Sequence, residues 1–161
     1  MFLGVLAQLS LLPVDRELSP KEREALDAAL RYFREAAPKH TADEEESLFP
    51  RLRRSDALEA HDVLRRVDAL EADHRAASID HGIVEERGSE WLLQGRLSPE
   101  GRDSFRGAVG RLQDRYRRHI EIEDREVFPA AARLLSRGDL MAVGGEMARR
   151  RGLSDRSILH T

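Results

Sequence analysis

The stretch His40 to Pro50, H-T-A-D-E-E-E-S-L-F-P, decides the fold because it occurs twice. The second copy is His119 to Pro129, H-I-E-I-E-D-R-E-V-F-P, at an offset of 79 residues. The copies share His at the first position, Glu at the fifth (Glu44, Glu123), an aliphatic at the ninth (Leu48, Val127) and a closing Phe-Pro. The same offset pairs Ser19-Pro20 with Ser98-Pro99, so the repeated unit reaches back well before the motif. In a helix, four residues advance about 6 Å and return to within about 40° of the same face, so His and Glu at this spacing can address one metal ion.

Working outward, the helical period predicts where each copy lies. Ser19-Pro20-Lys21-Glu22 is a helix start with a Ser cap, Pro in the first turn and Glu completing a capping box. The stripe Leu26, Leu30, Phe33, Ala37 then lands on His40, Glu44 and Leu48. Ser98-Pro99 opens a second such helix, whose stripe Phe105, Val109, Leu112, Tyr116 lands on His119, Glu123 and Val127. Both His-Glu pairs therefore fall on core-facing stripes. A single His-Glu pair four apart is common on helix surfaces; two on apolar stripes, each closed by Phe-Pro, point to chemistry. Pro38 is expected to kink or break its helix just ahead of His40, and Pro50 to mark that helix's approaching end.

Around these, Phe2, Val5, Leu6, Leu9 and Leu12 predict a short first helix ending before Pro13. A third begins near Ser55-Asp56 and runs to about residue 95, with Leu64, Val67, Leu70, His74, Ser78 and His81 on one face and Gly82, Gly88 and Gly95 weakening its later part. A short last helix covers about 139 to 150, broken by Gly144-Gly145. The expected fold is all-α: an antiparallel up-down four-helix bundle with a truncated first helix and a short C-terminal fifth helix. Residues 1-151 are expected to form a single domain and 152-161 a flexible tail.

Composition narrows the chemistry. The chain has 161 residues, 40% hydrophobic and 35% charged, and a formal net charge of −3, which with no long basic run speaks against nucleic acid. Arg149-Arg150-Arg151 reads as a solvated helix end. There is no cysteine, which excludes disulfides, zinc-thiolate sites, iron-sulfur clusters and thiol catalysis, and leaves His, Asp and Glu as candidate ligands. The apolar opening lacks a basic start and a cleavage site and is interrupted too early to span a bilayer, so a cytoplasmic location and no membrane association are expected.

Helix depth adds a fifth residue. His119 lies about 20 residues, or about 30 Å, into its helix; counting the same distance back from the end of the preceding antiparallel helix gives about residue 76. His74 is the histidine there. The same count for His40 falls before Met1, so the sequence as given has no first-helix partner for that copy; an in-frame histidine about five codons upstream of Met1 would supply one. Imidazole plus carboxylate without thiolate suits iron or manganese, and also zinc. Two Glu from facing helices could bridge two ions about 3.5 to 4 Å apart. If the helix phase differs by one residue, Glu45 and Asp124 become the ligands; otherwise they join Glu46 on a solvated face. His61 and His160 are expected to be exposed and without function.

With its two H-x3-E…F-P copies and the helical histidine in E-A-D-H-R (Glu71 to Arg75), the sequence resembles the hemerythrin-like (HHE cation-binding) domains over about residues 2 to 135. The resemblance implies a four-helix bundle around a non-heme di-iron centre, with dioxygen or another small diatomic or peroxide ligand as partner. Carried over by position, His40 and His119 match terminal ligands, Glu44 and Glu123 bridging ligands, and His74 the third-helix ligand; one iron, or manganese, is the lesser alternative. The sequence departs from the family in lacking the first-helix histidine, and in having Ser78 where oxygen carriers have a second third-helix histidine. It thus fits a binding or sensing protein better than an oxygen carrier or an enzyme, although an oxidase or peroxidase would use the same metals. The competing expectation is a metal-depleted bundle acting as an interaction or structural module. Its short first helix would leave an apolar groove for a partner or a second copy of the chain.

Overall fold

A computed structural model describes residues 2–14, 16–55 and 60–153. Among these there are helices and no strand, in agreement with an all-α, hemerythrin-like helical bundle. The helices are α1 (Phe2–Ser10), α2 (Pro20–Ala42), α3 (Phe49–Arg53), α4 (Ala60–Gln94), α5 (Pro99–Ile122), α6 (Phe128–Leu134) and α7 (Arg137–Arg150). A π-helical turn, Asp43–Leu48, joins α2 to α3 without a break, and a second, Glu123–Val127, joins α5 to α6.

The starts form as the sequence predicts. Ser19 N–H donates to Glu22 Oε2 at 2.8 Å while Glu22 N–H reaches back to Ser19 Oγ at 3.4 Å, a closed capping box at the head of α2. Gly101 N–H donates to Ser98 Oγ at 3.0 Å at the head of α5. Ser136 Oγ likewise accepts from Asp139 N–H at 3.0 Å to start α7. The predicted third-helix start at Ser55-Asp56 falls partly on residues outside the described ones, as do His160 and all but the first two residues of the predicted tail.

One expectation is narrowed and one holds. Pro38 does not break α2, and the backbone leaves α geometry only at Asp43. Pro50 sits in the first turn of α3, immediately after the π turn, and the helix ends soon after it, at Arg53. Proline has no N–H to give and its ring collides with the carbonyl four residues back; a widened turn placed just ahead of it relieves both problems.

The chain divides into two compact units, each with its own core. The first, residues 1–36 and 73–118, packs Leu6, Leu26, Leu30, Val84, Trp91, Phe105 and Leu112. Within it the Arg102 guanidinium lies 4.1 Å over the Trp91 ring and donates to the Leu12 carbonyl past the end of α1. Gly82 and Gly88 do not interrupt α4, and Gly88 is there for space: a Cβ on it would meet both Leu30 methyl carbons at 2.8 Å. Gly82 has nothing within 4 Å. The two should therefore respond oppositely to alanine. Gly82→Ala is expected to stabilise by up to about 1 kcal/mol through helix propensity. Gly88→Ala should lose about 1 kcal/mol, overpacking of about 1 to 3 kcal/mol outweighing the same propensity gain. Urea unfolding of the two variants reads the difference, and equal signs would contradict it.

The second unit, residues 37–72 and 119–161, packs Leu48, Phe49, Leu52, Val67, Leu70, Val127, Ala131 and Leu135. It contains both copies of the repeated motif.

Candidate metal centre

Both motif glutamates sit where the backbone changes character. Phe49 N–H donates to the Glu44 carbonyl and Phe128 N–H to the Glu123 carbonyl, five residues back in each case. His40 and His119 lie on the α-helical turn before, so the four-residue advance from His to Glu survives, and the widening falls on the residues after. A one-residue change of phase is thereby excluded from the cluster: Glu44 and Glu123 are buried, while Glu45 and Asp124 are exposed.

One ligand atom from each of His40, Glu44, His119 and Glu123 lies within 4.8 Å of the others. His119 Nε2 is 2.9 Å from Glu123 Oε1 and 3.8 Å from Glu44 Oε2. His40 Nε2 is 3.7 Å from Glu44 Oε1 and 3.8 Å from Glu123 Oε1. Each imidazole thus faces both carboxylates, and the two rings stand 6.4 Å apart. The side chains of His119, Glu44 and Glu123 are 3 to 4% exposed, that of His40 45%.

Burying two carboxylates against each other is unfavourable unless positive charge lies between them. Burial alone would depress the His119 imidazolium, but the adjacent Glu123 and Glu44 outweigh it and hold the group up at about 9. Glu123 is carried up to about 7, first by burial and then by the Glu44 carboxylate, against the opposing pull of His119. The two shifts share one cause. The cluster as a whole therefore binds protons more tightly than its separated groups would.

A cation fits this arrangement. Two donors on one ion, each about 2.1 Å from it, stand about 3 to 4 Å apart, and the His-to-Glu separations here run from 2.9 to 3.8 Å. His119 Nε2 stands 2.9 Å from Glu123 Oε1, a spacing that two donors to one ion would keep once the ring has given up its proton. The donors are nitrogen and oxygen alone, the set that suits iron, manganese or zinc.

His74 is half-buried on α4, in the other unit. Ser78 is exposed. His81 is partnered within the first unit's core, its Nε2 2.8 Å from the Tyr116 hydroxyl and its ring 5.0 Å from that of Phe33. His61 is exposed, as expected.

Sequence reasoning missed the neighbour of Glu44. Asp43 is fully buried, and Arg150 Nη1 (3.0 Å) and Arg151 Nη2 (2.5 Å) donate to its two oxygens. The Arg149-Arg151 run is therefore not a solvated helix end: two of its three arginines neutralise a carboxylate inside the first π turn. Its sequence signal is a charge at a position whose counterpart in the other copy is Ile122.

No helix among the described residues is long and apolar enough to cross a membrane. The sequence model of the hemerythrin HHE cation-binding domain matches residues 2–131. No individual curated protein matches the chain.

Proposed function

The chain belongs to the hemerythrin HHE cation-binding domain family, and from that premise we propose that it holds a non-heme di-iron site which binds or senses dioxygen or a reactive oxygen or nitrogen species. The observation that carries this reading is the convergence of His40, Glu44, His119 and Glu123, three of them buried, on ligand atoms within 4.8 Å of one another. His40 and His119 would be terminal ligands, and Glu44 and Glu123 would span two ions. Iron in such a site supplies reversible coordination of a small ligand and a one-electron redox change.

The protein's own contribution is asymmetric. Glu44, Glu123 and His119 are walled off from water, which strengthens their attraction for a cation and orients them. His40, at 45% side-chain exposure, marks the side from which a small ligand reaches the centre. A single-ion variant of the reading draws on the same geometry, since all four donors lie close enough to surround one cation.

Metal analysis after anaerobic loading with ferrous iron tests both. About two irons per chain is the expected result; about one would support the single-ion form. None would refute iron binding and leave the metal-free helical module as the better account. Manganese retained in preference to iron would overturn the choice of metal.

A further inference from the structure

The family match ends at residue 131, and α7 lies beyond it. α7 packs on the first π turn. Its contacts with the turn and with α3 include a set of ion pairs: Arg150 and Arg151 hold Asp43, Arg150 also reaches Glu46 at 3.1 Å, and Glu146 takes Arg51 in a two-pronged pair at 2.7 and 3.0 Å. Arg51 in turn donates to the Ser47 carbonyl inside the turn at 2.8 Å.

The repeat shows which of these residues belong to the motif and which to α7. At an offset of 79, Asp43 corresponds to Ile122 and Arg51 to Ala130. The second copy thus forms its own π turn, with its own buried glutamate, using neither charge. Asp43 and Arg51 are not needed to make a π turn; they are present in the copy that α7 covers. A fully desolvated carboxylate next to a ligand would also repel the ligand's own charge unless neutralised, and two guanidinium groups neutralise it on the side facing α7.

We propose that Asp43, gripped by Arg150 and Arg151, is a positioning residue for the metal centre: α7 is a strap that fixes the first π turn, and through it the aim of the Glu44 carboxylate. The inference rests on the metal-binding reading above. It makes the site's two halves unequal, one glutamate carried on a strapped turn and the other on a turn that shapes itself.

The test uses the full chain in three forms: Arg150→Gln with Arg151→Gln; the conservative Arg150→Lys with Arg151→Lys; and Asp43→Ile, which installs the residue of the other copy and leaves no buried charge should the glutamine form fold poorly. Two readouts are taken. In metal-free protein, amide hydrogen exchange at Phe49 reports the first turn and exchange at Phe128 the second, since each N–H donates to the ligand glutamate's carbonyl. Separately, cobalt(II) affinity by chelator competition, with the visible spectrum of the bound ion, reports ligand geometry.

For the glutamine form and for Asp43→Ile, exchange at Phe49 is expected to rise about 10-fold or more with Phe128 within about twofold, and affinity to fall about 10-fold with an altered spectrum, the usual scale for loss of a residue that orients a ligand. The lysine form should recover part of both. Unchanged Phe49 exchange, or affinity and spectrum unchanged beside a lowered melting temperature, would overturn the proposal and leave α7 a stabilising helix only. Wild-type protein that takes up no cobalt and no iron would instead refute the metal-binding reading, and with it the aim of Glu44 as a role, while the exchange readout would still decide whether α7 straps the turn.

Discussion

Glu44→Gln is expected to abolish metal uptake while leaving the metal-free protein at least as stable as wild type. The two effects have one origin. Glu44 and Glu123 are buried beside a single well-buried imidazole, and the upward shift of Glu123, caused first by burial, also carries a contribution from repulsion by Glu44. An amide of the same size removes that repulsion, a gain on the order of 1 kcal/mol at pH 8. It also removes the charge an ion would need. Wild-type protein with ion at about 1,000 times its dissociation constant should gain about 4 kcal/mol of stability, and the variant essentially none. Thermal melts with chelator and with ferrous iron give four numbers whose pattern is diagnostic: the variant leads without metal and trails with it. A variant that retained its iron and its metal-induced shift would remove Glu44 from the site. Loss of stability in both conditions would make the residue structural.

The second large effect is on pH. His119 is held up to about 9 and Glu123 up to about 7, so in both cases the folded chain keeps protons that the unfolded chain has already released. For groups raised in this way the stabilising contribution is complete below the unfolded values, 6.5 and 4.5, and is lost as pH rises through the folded ones. Metal-free protein should therefore lose stability between about pH 6.5 and 9, by on the order of 3 kcal/mol, because the protons are shared within one cluster and count once; below 6.5 the buried His81, whose imidazolium is disfavoured by desolvation, contributes the opposite slope. Glu146, held down to about 2 chiefly by its hydrogen bond to Arg51, acts at acid pH and leaves this window clear. Cation uptake displaces the same protons, so affinity should rise across the same range. Urea unfolding in chelator, set beside calorimetric titration in buffers of different ionisation heat, should show opposite slopes and net proton release. A flat metal-free profile would mean the three groups do not share protons as their geometry implies.

Much of this was legible in the sequence for identifiable reasons. The pairing of His40 with Glu44 and of His119 with Glu123 follows from helix rise and from apolar stripes that end on them. Ser19-Pro20 and Ser98-Pro99 announced two helix starts because capping is local chemistry. The π turns were not legible: they shift hydrogen bonds by one residue without altering the apolar pattern, and Pro50 read as the sign of an approaching helix end, which it is, but not as the sign of a widened turn just ahead of it. Asp43 was hidden for a different reason. Its partners are 107 and 108 residues away, and three consecutive arginines carry no sign of which buried acid they meet. Gly88 read as a weak point in a helix, whereas the proximity of Leu30 makes it a spacing device.

Trp91 is the sole tryptophan, fully buried, with Phe105 edge-on to it and the Arg102 cation over its face. It resides in the first unit, and the four converging ligands reside in the second. Intrinsic fluorescence is therefore an optical reporter of one core alone, blue-shifted while that core is intact, whereas a bound transition ion would colour the other. Following both signals through a single denaturant titration gives each half its own midpoint, and coincident curves would establish that the chain unfolds as one cooperative body.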